Sequence, residues 1–361
     1  MKLSIKLLVS GMAILIAMFI LVLMSLKETQ TWSRWYGDFD LSQSGEWGIF
    51  ASGYRDDTYS GLFVVNLPLN VWTFLFSPNY SFRNPVVAHE SNYVIATAID
   101  QNGIHHITKI DINSGSARKI FSSKDPVSPM VLGPQDKYLV YEKAPYCDLK
   151  PSERCGGRSD LFLYDFGAEK HIELTKIWSA GFSKATLVSN TEILLGIPFM
   201  HRPGKRDSER GDGCTKGIHE DSVFVIKFSQ ALERTPAPIS TDCSWKPLIK
   251  GALGNSSWPI MAQSGKELLY LSIDKTNPSK YTQALYKRNL DSGSDQLIWH
   301  PDSISWYETD ISDDGQTVAS LHDFKSLSPK VWFKDLTSGK EKILEPSSSK
   351  LEKKAIHFQT Q

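Results

Sequence analysis

The sequence predicts an all-β fold, a propeller of roughly six four-stranded antiparallel sheets closed into a ring, preceded by one N-terminal transmembrane helix. Three observations lead there. A unit of strand, tight turn and strand recurs along the chain. The recurrences are spaced widely enough for four short strands each. One uncharged apolar stretch, Leu7–Leu26, lies ahead of the first unit.

The clearest unit comes late. Trp306 to Ser312 ends a strand, Asp313-Asp314-Gly315 turns the chain, and Thr317–Leu321 returns. Asp tolerates turn geometry and Gly supplies a positive φ. A third strand over Val331–Leu336, a Ser338-Gly339 turn and a fourth strand over Glu341–Leu344 complete it. Looser copies stand upstream, with first-turn markers at 45, 91, 135, 189, 264 and 314. The expected domain is 36–345, with blades at 36–77, 82–122, 127–175, 181–240, 256–300 and 305–345. A segment 1–27 forms the cytoplasmic stub and anchor, and 28–35 a linker. The tail, 346–361, is a candidate ring-closing strand through Ala355–Gln359; Thr31–Tyr36 is the other candidate. A β-sandwich pair is the alternative architecture.

At the last unit the sequence resembles the repeats of TolB-like propellers. Ser312-Asp313-Asp314-Gly315 and Val331-Trp332-Phe333-Lys334-Asp335-Leu336-Thr337-Ser338-Gly339 carry the likeness. Gln263-Ser264-Gly265-Lys266-Glu267 with Leu285–Gly293 follows it less closely. The resemblance covers about 36–345 as a fold and implies a periplasmic protein- or ligand-binding propeller. TolB carries a separate α/β domain and a cleaved signal; neither is found here, so its role with a specific partner is not implied.

The chain has 361 residues, with Lys plus Arg and Asp plus Glu both at 40, so no net charge argues for a nucleic-acid partner. Aromatic residues make up 11%, which excludes a disordered chain. A helix over Leu7–Leu26 spans about 30 Å, a bilayer's hydrocarbon thickness. Lys2 and Lys6 precede it, which sets the N-terminus in the cytoplasm and the rest outside, at the inner (plasma) membrane. A cleaved signal peptide is the alternative; its apolar core is shorter and its cleavage site small, whereas Val22–Leu26 is bulky apart from Ser25. The four cysteines suit an oxidising compartment, with the pairs Cys147–Cys155 and Cys214–Cys243 each closing a local loop. Zinc is the alternative, and the spacings match no common finger.

Chemistry is sparse. The nine His are scattered, and only His89 falls at the end of an expected inner strand, so neither a metal nor another cofactor is expected. No G-x-S-x-G elbow and no phosphate-binding glycine loop occur. Asp111–Gly115 reads as a turn rather than a calcium loop. The expected inner strands open on aromatic or polar residues: Trp35 and Tyr36, Arg83 after Phe82, Phe182, Trp258, then Trp306, Tyr307 and Glu308, with Asp310 just inside. Such a ring at a channel mouth suits a sugar or a peptide, with Arg83, Glu308 and Asp310 its charged members; packing between blades is the competing use of the aromatics. The expectation is a binding or scaffold module with a protein partner. A channel-centred lyase or lactonase, or a solute sensor, is the alternative, and an enzyme is the less favoured reading. The insertion 200–221 is a candidate partner loop.

Overall fold

Strand β3 shows why the chain must form a ring. Its residues Gly61–Asn66 are buried throughout, because both faces of its sheet are covered. Leu62 and Val64 pack toward the second sheet, while Phe63 and Val65 pack toward the last. A sheet buried on both faces reads as a continuous apolar run rather than an alternating one. The apolar clusters therefore lie between sheets, and each sheet needs two neighbours.

The computed structural model describes residues 35–42, 44–53, 61–88, 92–144, 159–175, 185–189, 192–197, 222–227, 249–250, 257–261, 267–273, 283–299, 309–312, 314–322, 329–347 and 351–359. Their strands fall into six sheets. The first contains β1 (Trp35–Leu41), β2 (Trp47–Gly53), β3 (Gly61–Asn66) and β4 (Val71–Phe76). The second contains β5 (Tyr80–Val87), β6 (Tyr93–Asp100), β7 (His105–Asp111) and β8 (Ser116–Ser123). The third contains β9 (Val127–Leu132), β10 (Tyr138–Lys143), β11 (Asp160–Asp165) and β12 (Lys170–Glu173). The fourth contains β13 (Ala185–Ser189), β14 (Glu192–Ile197), β15 (Ser222–Lys227) and β16 (Ile249–Lys250). The fifth contains β17 (Ser257–Met261), β18 (Glu267–Ile273), β19 (Gln283–Asn289) and β20 (Asp295–Trp299). The sixth contains β21 (Thr309–Ile311), β22 (Thr317–His322), β23 (Lys330–Asp335) and β24 (Glu341–Leu344). Each is an antiparallel meander in chain order. The first strand of every sheet packs on the first strand of the next, and β21 packs on β1, so the fold is a β-propeller with these strands innermost.

The inner strands share a device. In all but β21 the pairing with the second strand slips by one residue: between Gly37 and Asp40 in β1, Arg83 and Val86 in β5, Pro129 and Val131 in β9, Leu187 and Ser189 in β13, and Ser257 and Ile260 in β17. Such a bulge raises local twist and re-aims side chains. The inner strand of the second sheet, expected over Val86–His89, instead begins at Tyr80. Asn84 and Pro85 form its bulge, with Asn84 at φ 48°.

The turns of the repeat align through one hydrogen bond. Ser42, Ala88, Gly133 and Ser312 each donate the backbone N–H to the carbonyl of Trp47, Tyr93, Tyr138 and Thr317 respectively. In the first and sixth sheets the residue two positions earlier is Asp40 and Asp310; in the second and third it is Val86 and Val131. Both aspartates are buried and cross to the next sheet. Asp310 Oδ2 accepts from the Leu41 amide at 2.6 Å, and Asp40 Oδ2 accepts from the Val87 amide at 2.7 Å. The first sheet is thus pinned on both sides, where the ring closes.

The tail does pair, but on the outside. β25 (Leu351–Ala355) runs parallel to β4, and β26 (His357–Phe358) runs parallel to β8. The segment 351–359 is therefore a strap across the rims of the first two sheets, and the inner-strand position is held by β1. Between the two short strands Ile356 is buried in the cluster shared by those sheets. Among the described residues no helix is long and apolar enough to cross a membrane. The stretch Leu7–Leu26, the insertion 200–221 and all four cysteines lie outside the described residues.

Candidate functional site

The antiparallel registers bring one set of residues to the end of the ring where inner strands begin. Tyr80 pairs Asp100, Ile99 pairs His105, His105 pairs Ser123, and Val127 pairs Lys143. This is the strand-entry end of the second and third blades, where a channel mouth is expected. Arg83, on the innermost strand, is exposed there, and the left-handed Asn84 follows it. A non-glycine residue at positive φ is a strained position that the surrounding structure must hold. The seam to the third blade is fixed by Thr97, whose hydroxyl donates to the Val127 carbonyl at 2.8 Å. Lys143 pairs with Asp125 at 2.8 Å on the same rim.

The two histidines of β7 point to opposite faces of their sheet. His105 shares its face with Arg83, Thr97 and Ile107, toward the third blade. Its Nδ1 is buried with no hydrogen-bond partner among the described residues. Burial holds its imidazole below the usual range, the Arg83 and His106 charges push the same way, and Asp100 opposes them. His106, on the face toward the first blade, is buried, with Nε2 3.0 Å from Asp100 Oδ2 and Nδ1 2.7 Å from Ser122 Oγ. Asp100 Oδ1 accepts from the Asn102 and Ile104 amides at 2.9 and 3.0 Å. The Tyr80 ring meets His106 edge-on with centroids 5.9 Å apart and packs on Phe358 of the strap at 4.3 Å.

Of the residues expected at the mouth, Arg83 is placed there with its side chain. Trp35 and Tyr36 open β1, and Trp258 sits at the bulge of β17; only their backbones are described. His89, Phe182, Trp306, Tyr307 and Glu308 lie outside the described residues. Asp310 is only 1% exposed. Its carboxylate accepts from the amides of Leu41 and Ile311, so it holds the ring together rather than offering charge at the mouth. A polar residue at the start of an inner strand reads the same in either role. The Asp100, His106 and Ser122 arrangement has no sequence motif, because strand register alone assembles it. Its one signal is the adjacent pair His105-His106 close after Asp100. Among the described residues no three His, Cys, Asp or Glu side chains gather as metal ligands.

Two histidines set an acid sensitivity. His171, which meets the Tyr141 hydroxyl at 2.8 Å through Nδ1, is also held low, by burial and then by Lys143. An imidazole whose folded pKa is depressed takes up protons more readily in the unfolded chain. Its stabilising contribution is complete above the ordinary value of 6.5 and is lost as pH falls from there through the lower folded value. The melting temperature is expected to drop between about pH 7 and about pH 5.5, and to drop less in a His105→Gln/His171→Gln variant. Asp100 and Asp111 are held below the ordinary 3.8 by hydrogen bonds to their carboxylates, so their contribution is lost only in stronger acid.

The sheets, seams and mouth define a β-propeller. In particular, its fold is similar to that of TolB from Acinetobacter baumannii, which aligns with a TM-score of 0.54 at 12% identity, over 80% of this chain and 60% of that one. The chain therefore spans about 60% of the length of that TolB chain. An oligogalacturonate lyase in complex with manganese aligns with a TM-score of 0.50 at 10% identity, over 85% of this chain and 77% of that one. No family model matches the chain, and no curated protein matches it in sequence.

Proposed function

We propose that the chain is a six-bladed propeller tethered to the inner membrane by a helix over Leu7–Leu26, with the ring in the periplasm and its mouth binding a protein partner. The observation that supports this most is the exposed Arg83, set on an innermost strand beside a left-handed bulge and braced by the Thr97 bridge to the next blade. Arg is favoured in interface anchors because it offers five donors and an apolar stem. Trp35, Tyr36, Phe182, Trp258, Trp306, Tyr307 and Glu308 complete the proposed mouth, and His89 lies at its second blade. The pairs Cys147–Cys155 and Cys214–Cys243 hold its loops in an oxidising compartment.

Replacing Arg83 by Glu is expected to weaken partner binding at least tenfold while changing stability by under about 0.5 kcal/mol. Full-length protein solubilised in detergent, crosslinked and read by quantitative mass spectrometry, gives the companions, the mature N-terminus and the disulfides together. Identical companions at identical yield from wild type and the Arg83→Glu variant would remove the mouth from the binding role. A second reading, a channel-centred lyase, rests on the fold shared with oligogalacturonate lyase. A tightly bound divalent ion together with cleavage of an oligogalacturonate, and no companion protein, would put that reading first.

A further inference from the structure

We propose that Asp100, His106 and Ser122 form a second site, a nucleophilic hydrolase centre on the outer half of the second blade, acting on small acyl esters. The three residues come from adjacent strands at the same end of one sheet face. Ser122 Oγ is 2.7 Å from His106 Nδ1, and His106 Nε2 is 3.0 Å from Asp100 Oδ2. With the neutral imidazole donating its Nε2–H to the carboxylate, Nδ1 is left as an acceptor for the Ser122 hydroxyl proton. That is the arrangement a serine nucleophile requires: a base in contact, and a third group fixing the base's tautomer.

The local hairpin does not account for it. Asp100 Oδ1 alone caps the β6–β7 turn through the Asn102 and Ile104 amides. Asp165 and Asp335 cap their own turns through one oxygen with no histidine attached. Holding an imidazole that is 5% exposed in an apolar seam is therefore an added feature. The burial is also uneven in a useful way. His106 is enclosed, Tyr80 closes one side of its ring, and Ser122 is exposed. Lys119, whose ammonium lies 5.2 Å from the Tyr80 ring centroid, places positive charge on the same face.

The steps follow from these positions. Ser122 Oγ attacks the ester carbonyl carbon as its proton passes to His106 Nδ1, and the carbonyl electron pair moves to oxygen, on the face that carries Lys119. The intermediate collapses, the carbon–alkoxy bond breaks, and the alcohol leaves with the proton from His106. Water then attacks the acyl-Ser122, giving its proton to Nδ1. The carbon–Oγ bond breaks, Oγ regains the proton, and the carboxylic acid departs. Asp100 balances the imidazolium charge in both halves.

The test uses the full-length protein with a small alkyl fluorophosphonate, which loses fluoride when Ser Oγ bonds to phosphorus, and with p-nitrophenyl acetate. One phosphonyl adduct is expected, mapped by peptide mass spectrometry to Ser122. Its rate should fall about 100-fold in His106→Gln, the loss of a general base. Release of p-nitrophenolate above the buffer rate should vanish in Ser122→Ala, which removes the attacking hydroxyl. No adduct at Ser122, an adduct forming equally fast in a folded His106→Gln variant, or p-nitrophenolate release that persists in Ser122→Ala would each overturn the site.

Discussion

An Asp310→Ala variant should lose about 2–4 kcal/mol of stability, read by urea unfolding, with the loss localised to the seam between the last and first blades. The carboxylate is buried and accepts the Leu41 amide at 2.6 Å across that seam. Removing it strands a buried N–H, and an unsatisfied donor costs more than the hydrogen bond it made. Asp310→Asn should cost less, since the amide oxygen still accepts from Leu41 while the amino group then faces the Ile311 N–H, which cannot be satisfied by a donor. Asp40→Ala should also cost less than Asp310→Ala, because the seam that Asp40 spans is covered by the strap and by Ile356 as well. Native-state hydrogen exchange reports the difference directly: the Leu41 amide should lose protection in Asp310→Ala, and the Val87 amide in Asp40→Ala. A loss under about 0.5 kcal/mol in Asp310→Ala would mean that apolar packing alone closes the ring.

The same pair of aspartates shows how far the sequence can be read. The turn Ser-x-x-Gly is legible because Gly45 and Gly315 need positive φ, 72° and 68°, and Ser42 and Ser312 each accept the amide that follows the turn. Strands such as β22, β23 and β24 follow from runs of apolar residues between such turns. What Asp40 and Asp310 bond to is not local, since their partners stand 47 and 269 residues away. Their recurrence two residues before the turn serine is a signal that an exposed mouth residue would not produce. The strand β16 is hidden for a different reason: it is short and pairs with β15 across a long connection in the sequence. Likewise, the Ser122 contact to His106 is fixed by the register of β7 on β8, which no spacing in the sequence states.

Cutting the chain after Ser347 should remove the strap and cost roughly 3–5 kcal/mol, from the buried Ile356 and the backbone bonds that it makes on two edges. Ile356 donates its amide to Phe76, His357 to Gly115 and Gln359 to Ala117. The edges of β4 and β8 would then stand open, and edge strands without a cover pair with other chains, so concentration-dependent association should accompany the loss. A single substitution isolates the strap from the rest of the tail. Gly115, Gly293 and Gly339 occupy matching turns between third and fourth strands, with φ of 71°, 70° and 69°. Each donates its amide to the residue four before it. Alanine at any of them carries the same backbone strain, on the order of 1 kcal/mol. Only at Gly115 does the added Cβ meet the strap, 2.6 Å from the Ala355 carbonyl oxygen; at Gly293 and Gly339 nothing lies within 4 Å. Gly115→Ala should therefore destabilise more than Gly339→Ala, and only Gly115→Ala should speed exchange of the Ile356, His357 and Gln359 amides. Equal losses from the two variants, with those amides still protected, would show that the strap does not seat against the β7–β8 turn.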